Sequence, residues 1–141
     1  MSAHASPAEL YRHGLRLLLD KDTDGWAGLW AEDGVLEFPF APDDWPRRLE
    51  GRDAIAAYLR HYPDHIDLQD FTDVRVHLTA APETVVIEMR GVGRLVKTGS
   101  PYDMNYIVVV TARDGHITAC RDYWNPLALR TPGMDFLGGA R

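Results

Sequence analysis

Asp122 has the residue type and setting of a general base. It lies in the run His116 to Pro126, HITACRDYWNP, behind a β-branched and aromatic run from Tyr102 to Arg113. Asp114-Gly115 between the two supplies the positive-φ pair of a two-residue hairpin loop. Pairing Arg113 with His116 sets Val109 opposite Cys120, Ile107 opposite Asp122 and Asn105 opposite Trp124. Side chains alternate across a strand, so these six residues are expected on one face. A carboxyl group among such neighbours loses hydration, which raises its pKa and makes it a better base near neutral pH. Asn105 is placed on that face to hydrogen-bond the acid or a substrate carbonyl. The expected catalytic pair is Asp122 with Asn105; the plain alternative is a structural aspartate paired with an arginine.

Other candidate groups divide into pocket and scaffold. Glu88 sits on a strand whose face depends on register, and a one-residue slip moves it between pocket and exterior. It is expected either at the pocket or in a same-face ion pair with Arg90. Tyr58, Tyr62, Trp26, Phe38, Trp124 and Ile107 are the expected apolar lining, since small-molecule sites are mostly apolar with a few polar groups. Asp20, Asp22, Asp24 and Gly25 match half of a calcium loop, but the closing acid is replaced by Ala31, so a helix cap is the expected role. His61 and His65 are split by Pro63 and cannot share a helix face. No metal or redox cofactor is expected. Gly91-Val92-Gly93 has no following helix to hold a phosphate and is read as a bulge or sharp bend.

The elements that position these groups follow from periodicity and punctuation. Ser6, Pro7 and Glu9 start a first helix ending near Asp20. A short second helix is expected to bury Trp26, Leu29 and Trp30, and Asp33-Gly34 turns into a strand from Val35 to Phe40. Residues 41 to 48 read as an irregular loop. A third helix runs from Arg52 to Tyr62 and stops at Pro63. Strands follow at Thr72 to Thr79 and Val85 to Val96, and then the final hairpin, with His77 outward. The order implies an α+β fold: three N-terminal helices on a strongly curved antiparallel sheet, with a cone-shaped internal pocket. The tail from Leu127 is expected to close over the pocket mouth or to be loosely ordered. Both hairpin faces are apolar, so a second subunit is the expected cover for the outer one.

The 141 residues suit one domain spanning residues 1 to 141. With 45% hydrophobic and 26% charged residues, the chain reads as an ordinary soluble protein. Its net charge of -6 shows no basic stripe, which argues against nucleic acid as a partner. A single cysteine, Cys120, fits a reducing compartment, and no signal or membrane-spanning run is visible, so a cytoplasmic location is expected.

Three segments carry a family resemblance: LEFPF to RLEGRDAI (residues 36 to 55), GVGRLVKTGSPYDMNY (91 to 106) and DGHITACRDYWNPL (114 to 127). Together they resemble the SnoaL-like branch of the nuclear transport factor 2-like superfamily. The resemblance implies a cone-shaped α+β fold, a pocket inside the cone and a homodimer through the outer sheet face. Among its members, the phenazine-biosynthesis A and B proteins carry an Arg-Glu-Phe-x-Asn motif whose Glu acts as acid and base. Arg121-Asp122-Tyr123-Trp124-Asn125 is similar, with Asp122 in the Glu position. Tyr102 to Asn105 is similar to their Tyr-x-x-Asn strand, and Glu88 with Gly91 to their Glu before a Gly-rich strand. Tyr58 and Tyr62 replace their pocket His and Ser, and Trp26 replaces a substrate-binding Arg. The polyketide cyclases of the superfamily place an acid near Asn125. The epoxide hydrolases need an Arg and two acids, types that Glu88, Arg90 and Asp122 supply.

The scaffold hosts many reactions, so fold does not name function. The expected function is cofactor-independent acid/base isomerisation, cyclisation or dehydration of an apolar, ring-containing small molecule. The alternatives are a non-catalytic binding or accessory protein, or an epoxide hydrolase-like enzyme.

Overall fold

The computed structural model describes residues 5–130. Helix α1 (Pro7–Leu19) starts as expected. The Ser6 hydroxyl accepts from the Glu9 backbone, and the Glu9 carboxylate accepts from the Ser6 backbone. Its apolar side buries Leu10, Tyr11 and Leu15. Helix α2 (Thr23–Ala27) is capped by Asp22, whose carboxylate accepts from the Gly25 backbone N–H at 2.9 Å. The capping reading of that acidic run therefore holds. The chain extends earlier than expected after α2. Trp30 opens strand β1 (Trp30–Glu37), and the turn expected at Asp33-Gly34 is instead an irregularity inside that strand, before Val35.

Strand β2 (Arg48–Glu50) emerges from what reads as an irregular loop. Helix α3 (Arg52–Leu59) follows, and Pro63 falls in a 3-10 turn over Tyr62–Asp64. Strands β3 (Ile66–Leu78), β4 (Thr84–Leu95), β5 (Pro101–Arg113) and β6 (His116–Trp124) complete the sheet, and a last 3-10 turn spans Pro126–Arg130. The part of the C-terminal tail beyond Arg130 lies outside the described residues.

The six strands are ordered β2-β1-β6-β5-β4-β3. The α+β class holds, but the sheet is mixed rather than antiparallel, because β1 runs parallel to β6. The chain between β1 and β6, which includes α3 and strands β2 to β5, supplies the long crossover that a parallel pairing requires. The helices pack on one face of the sheet, where Ile55, Ile87, Val108, Val110 and Ile117 are almost fully buried.

Two irregularities decide which side chains face the helices. The first is in β3. Its pairing with β4 shifts between Leu68 and Asp70 and again between Thr72 and Arg75, so the extra residues lie on β3, opposite the Gly-rich stretch. A side chain on Gly93 would collide with the Asp67 backbone carbonyl, and one on Gly91 would press on Phe71 and Tyr106. The glycines thus allow the close approach that the bulged strand needs. The pairing of β4 with β5 is unbroken.

The second irregularity is in β6. Asp114 (φ 53) and Gly115 (φ 78) form the expected turn, and Arg113 pairs with His116. Ala112 then pairs with Ile117, but Thr111 pairs with Ala119. Thr118 is the extra residue, and its hydroxyl donates to the Thr111 carbonyl at 3.3 Å. Beyond it, Val110 faces Cys120, Val108 faces Asp122 and Tyr106 faces Trp124. This bulge lets Ile117 and Cys120, three residues apart, both turn inward. The expected register fails beyond this point. Asn105, Ile107 and Val109 lie on the outer face, and Tyr106, Val108 and Val110 lie on the inner one.

Candidate active site

The inner face of the sheet and the helices line a partly open cavity of about 140 Å³. All three helices and every strand but β2 contribute to its wall: Tyr11 from α1, Trp26 from α2, Leu36 from β1 with Phe38 just after it, Tyr58 from α3, Leu68 from β3, Met89 from β4, Tyr102 and Tyr106 from β5, and Asp122 and Trp124 from β6. Asp122, Tyr58, Tyr62, Trp26, Phe38 and Trp124 are therefore brought together as expected. Their rings are packed in pairs. Phe38 and Tyr58 lie 5.3 Å apart, and Trp26 and Trp30 lie 5.5 Å apart. Such tilted contacts suit the quadrupoles of the two rings.

Three expected site residues are not there. Asn105 is exposed on the outer face, because the Thr118 bulge shifts β5 by one residue against β6. Ile107 is 44% exposed on the same face. Glu88 pairs across the sheet with Ile107 and Arg75, also outside, and its carboxylate meets His77 Nε2 at 2.6 Å. The Glu88–Arg90 ion pair does not form either. Arg90 makes a two-pronged contact with Asp103 at 2.8 and 2.6 Å. Glu88 and Arg90 thus stand across the sheet from Asp122, and the three cannot act around one water as an epoxide hydrolase site would require.

Other wall residues went unread in the sequence. Trp45 comes from the irregular loop, is 7% exposed and packs at a tilt against Trp124, with ring centres 5.5 Å apart. Nothing in a loop's pattern marks one residue as inward. Tyr102, Met104 and Tyr106 did carry a signal. The even-numbered residues of β5 from 102 to 112 are all apolar or aromatic, whereas the odd ones include Asp103, Asn105, Thr111 and Arg113. Inward placement of the even set follows from that contrast.

Asp122 is the acid of this cavity. Its Oδ1 is closed off and has no hydrogen-bond partner among the described residues. Loss of hydration pushes its pKa from 3.8 up to about 7. The phenols around it move the same way. Burial, with the charge of Asp122 adding to it, holds Tyr58 well above its ordinary value. Burial pushes Tyr102 up to about 12, although its hydroxyl shares a hydrogen bond with Tyr106. Burial likewise raises Tyr11 and Tyr106. These phenols are therefore protonated donors at neutral pH, facing a carboxyl that can take or release a proton there. Tyr62 is committed elsewhere, since its hydroxyl donates to the Leu18 carbonyl.

The SnoaL-like domain family matches residues 11–120 of this chain. The chain belongs to the SnoaL-like family. An uncharacterized PhzA/B-like protein of Pseudomonas aeruginosa is 44% identical over 131 residues, covering 93% of this chain and 89% of that protein. A crystal structure of a candidate isomerase from Bacillus subtilis is 42% identical, with a TM-score of 0.85 over 88% of this chain and 89% of that one. A phenazine biosynthesis-related protein of Pseudomonas aeruginosa shares the fold at 19% identity, with a TM-score of 0.68 over 95% of this chain and 89% of that one. The matched span of this SnoaL-like chain ends at Cys120, two residues before Asp122. Among the described residues, no group of three or more His, Cys, Asp or Glu could hold a metal ion, and no helix is long and apolar enough to cross a membrane.

Proposed function

We propose that this SnoaL-like protein is an acid/base enzyme that isomerises, cyclises or dehydrates an apolar, ring-containing small molecule. Asp122 moves the proton. The observation that carries this reading is a carboxyl group with an unpartnered oxygen and a pKa near 7, the one acid among the described residues of a wall made mostly of rings and aliphatic groups. A base with a pKa near the working pH combines a useful ionised fraction with useful proton affinity. In its ionised form Asp122 takes a proton from a carbon next to a carbonyl. The Tyr58 or Tyr11 phenol donates to the carbonyl oxygen as charge develops there. Asp122 then returns the proton to a different atom. The tyrosines thus take the orienting role first expected of Asn105. The name of the Bacillus subtilis protein, a candidate isomerase, supports the same class of reaction.

The test uses hydrogen exchange, which needs no knowledge of the natural substrate. Deuterium incorporation into small cyclic ketones such as 2-tetralone, followed by NMR in D₂O, should be accelerated by the protein. The rate should rise with pH through a midpoint near that of Asp122 and be lost in Asp122→Asn. Ketones that bind in the cavity without exchanging would leave a binding protein and defeat the enzymatic reading.

The outer sheet face is proposed to pair with a second copy. Ile107 is 44% exposed there, Val86, Val109 and Tyr123 are half-buried, and Phe40 packs on Tyr123 at 5.2 Å. A monomer in sedimentation would contradict that pairing.

A further inference from the structure

We infer that the cavity also takes apolar organic cations, such as a ring bearing a tertiary or quaternary ammonium group, with Asp122 as counter-ion and the aromatic wall as the cage. The inference rests on the same site as the proposed function but not on any turnover.

The wall is electrostatically one-sided. Of the 21 described residues that line it, 11 carry aromatic rings, one is an acid, and none is a lysine, arginine or histidine. Aromatic faces are the negative ends of their quadrupoles. A cation over them is attracted, and more strongly once water is excluded. Trp45 with Trp124 and Phe38 with Tyr58 supply two tilted ring pairs on this wall.

One oxygen of the Asp122 carboxyl is closed off and unpaired as well, although the residue as a whole is half-buried. Buried charges in proteins are normally matched by a partner. Asp122 Oδ1 has none among the described residues. Arg121 next to it is exposed, on the opposite side of the strand. A ligand bearing a positive charge supplies the missing partner, an anion would meet repulsion from acid and rings together, and a neutral ligand leaves the charge uncompensated. The volume, about 140 Å³, is similar to that of cavities that hold a benzene-sized ring.

The site also dictates how binding depends on pH. Among the described residues, the titratable groups that share the wall with Asp122 are Tyr11 from α1, Tyr58 from α3, Tyr62 beyond it, Tyr102 and Tyr106 from β5, and Cys120 on its own strand. Burial raises every one of them, so they stay neutral while Asp122 ionises. A cation binds the ionised acid. Its affinity should therefore fall about tenfold per pH unit below the Asp122 pKa and level off above it.

The experiment compares phenyltrimethylammonium with tert-butylbenzene, in which carbon replaces the charged nitrogen at nearly the same shape. Titration calorimetry on the full chain at about pH 8.5, where Asp122 is ionised, should show the cation binding roughly tenfold tighter or more. At about pH 5.5 that advantage should vanish. Asp122→Asn should remove both the preference and its pH dependence while tert-butylbenzene still binds, which shows that the variant keeps its cavity. The inference is overturned if the neutral compound binds as tightly at the higher pH, if the cation does not bind, or if Asp122→Asn leaves cation affinity unchanged. Those outcomes do not touch the ketone-exchange result, so the two readings fail separately.

Discussion

Replacing Asp122 with Asn should stabilise the protein, by an amount that grows with pH. The Asp122 carboxyl has a pKa of about 7 in the folded chain, against 3.8 as the ordinary value that holds when the chain unfolds. The folded state therefore binds this proton more tightly. Its contribution to stability is fully present below about pH 3.8 and is lost as pH rises through about 7. The span is about three pH units at about 1.4 kcal/mol each, or about 4 kcal/mol between the two limits. Asparagine keeps the shape and carries no proton to lose. Urea unfolding of both proteins from about pH 4 to about pH 8.5 should show similar stability at the acid end and a variant up to about 4 kcal/mol more stable at the alkaline end. Other carboxyls titrate equally in both proteins and cancel in the difference. A difference that stays flat with pH, or a variant less stable at the alkaline end, would refute the desolvated carboxyl with its unpartnered Oδ1, and with it the catalytic reading of the site.

The remaining predictions concern the walls and the sheet. Glu88→Gln should cost less than about 1 kcal/mol in denaturant unfolding and leave ketone exchange unchanged, because the Glu88–His77 pair is solvent-exposed and across the sheet from the cavity. Trp45→Ala should cost about 3 kcal/mol or more and weaken binding of tert-butylbenzene, since the ring is buried against Trp124 and forms part of the wall. Gly93→Ala should lower stability by about 1–3 kcal/mol in thermal or urea unfolding, because its new methyl would meet the Asp67 carbonyl.

The sequence alone determined the parts that depend on neighbours along the chain. Ser6, Pro7 and Glu9 place the start of α1, Asp22 caps α2, and Asp114-Gly115 makes the final turn, because caps and turns satisfy backbone groups within a few residues, whereas α3 ends at Leu59, short of the stop expected at Pro63. Asp122 could also be singled out, as a lone acid between Cys120 and Trp124 on an apolar strand, and it does line the cavity. The tertiary structure decided which residues share its face. One inserted residue, Thr118, reverses the partnership between β5 and β6, so Asn105 and Ile107 leave the site and Tyr102 and Tyr106 enter it. Trp45 joins through a loop with no period to read, and β1 lies beside β6 across a gap of some eighty residues. A two-residue period carries no memory of where a bulge resets it, and only packing against the helices fixes that point, because burying the even-numbered side chains of β5 costs less than burying Asp103, Asn105 and Thr111.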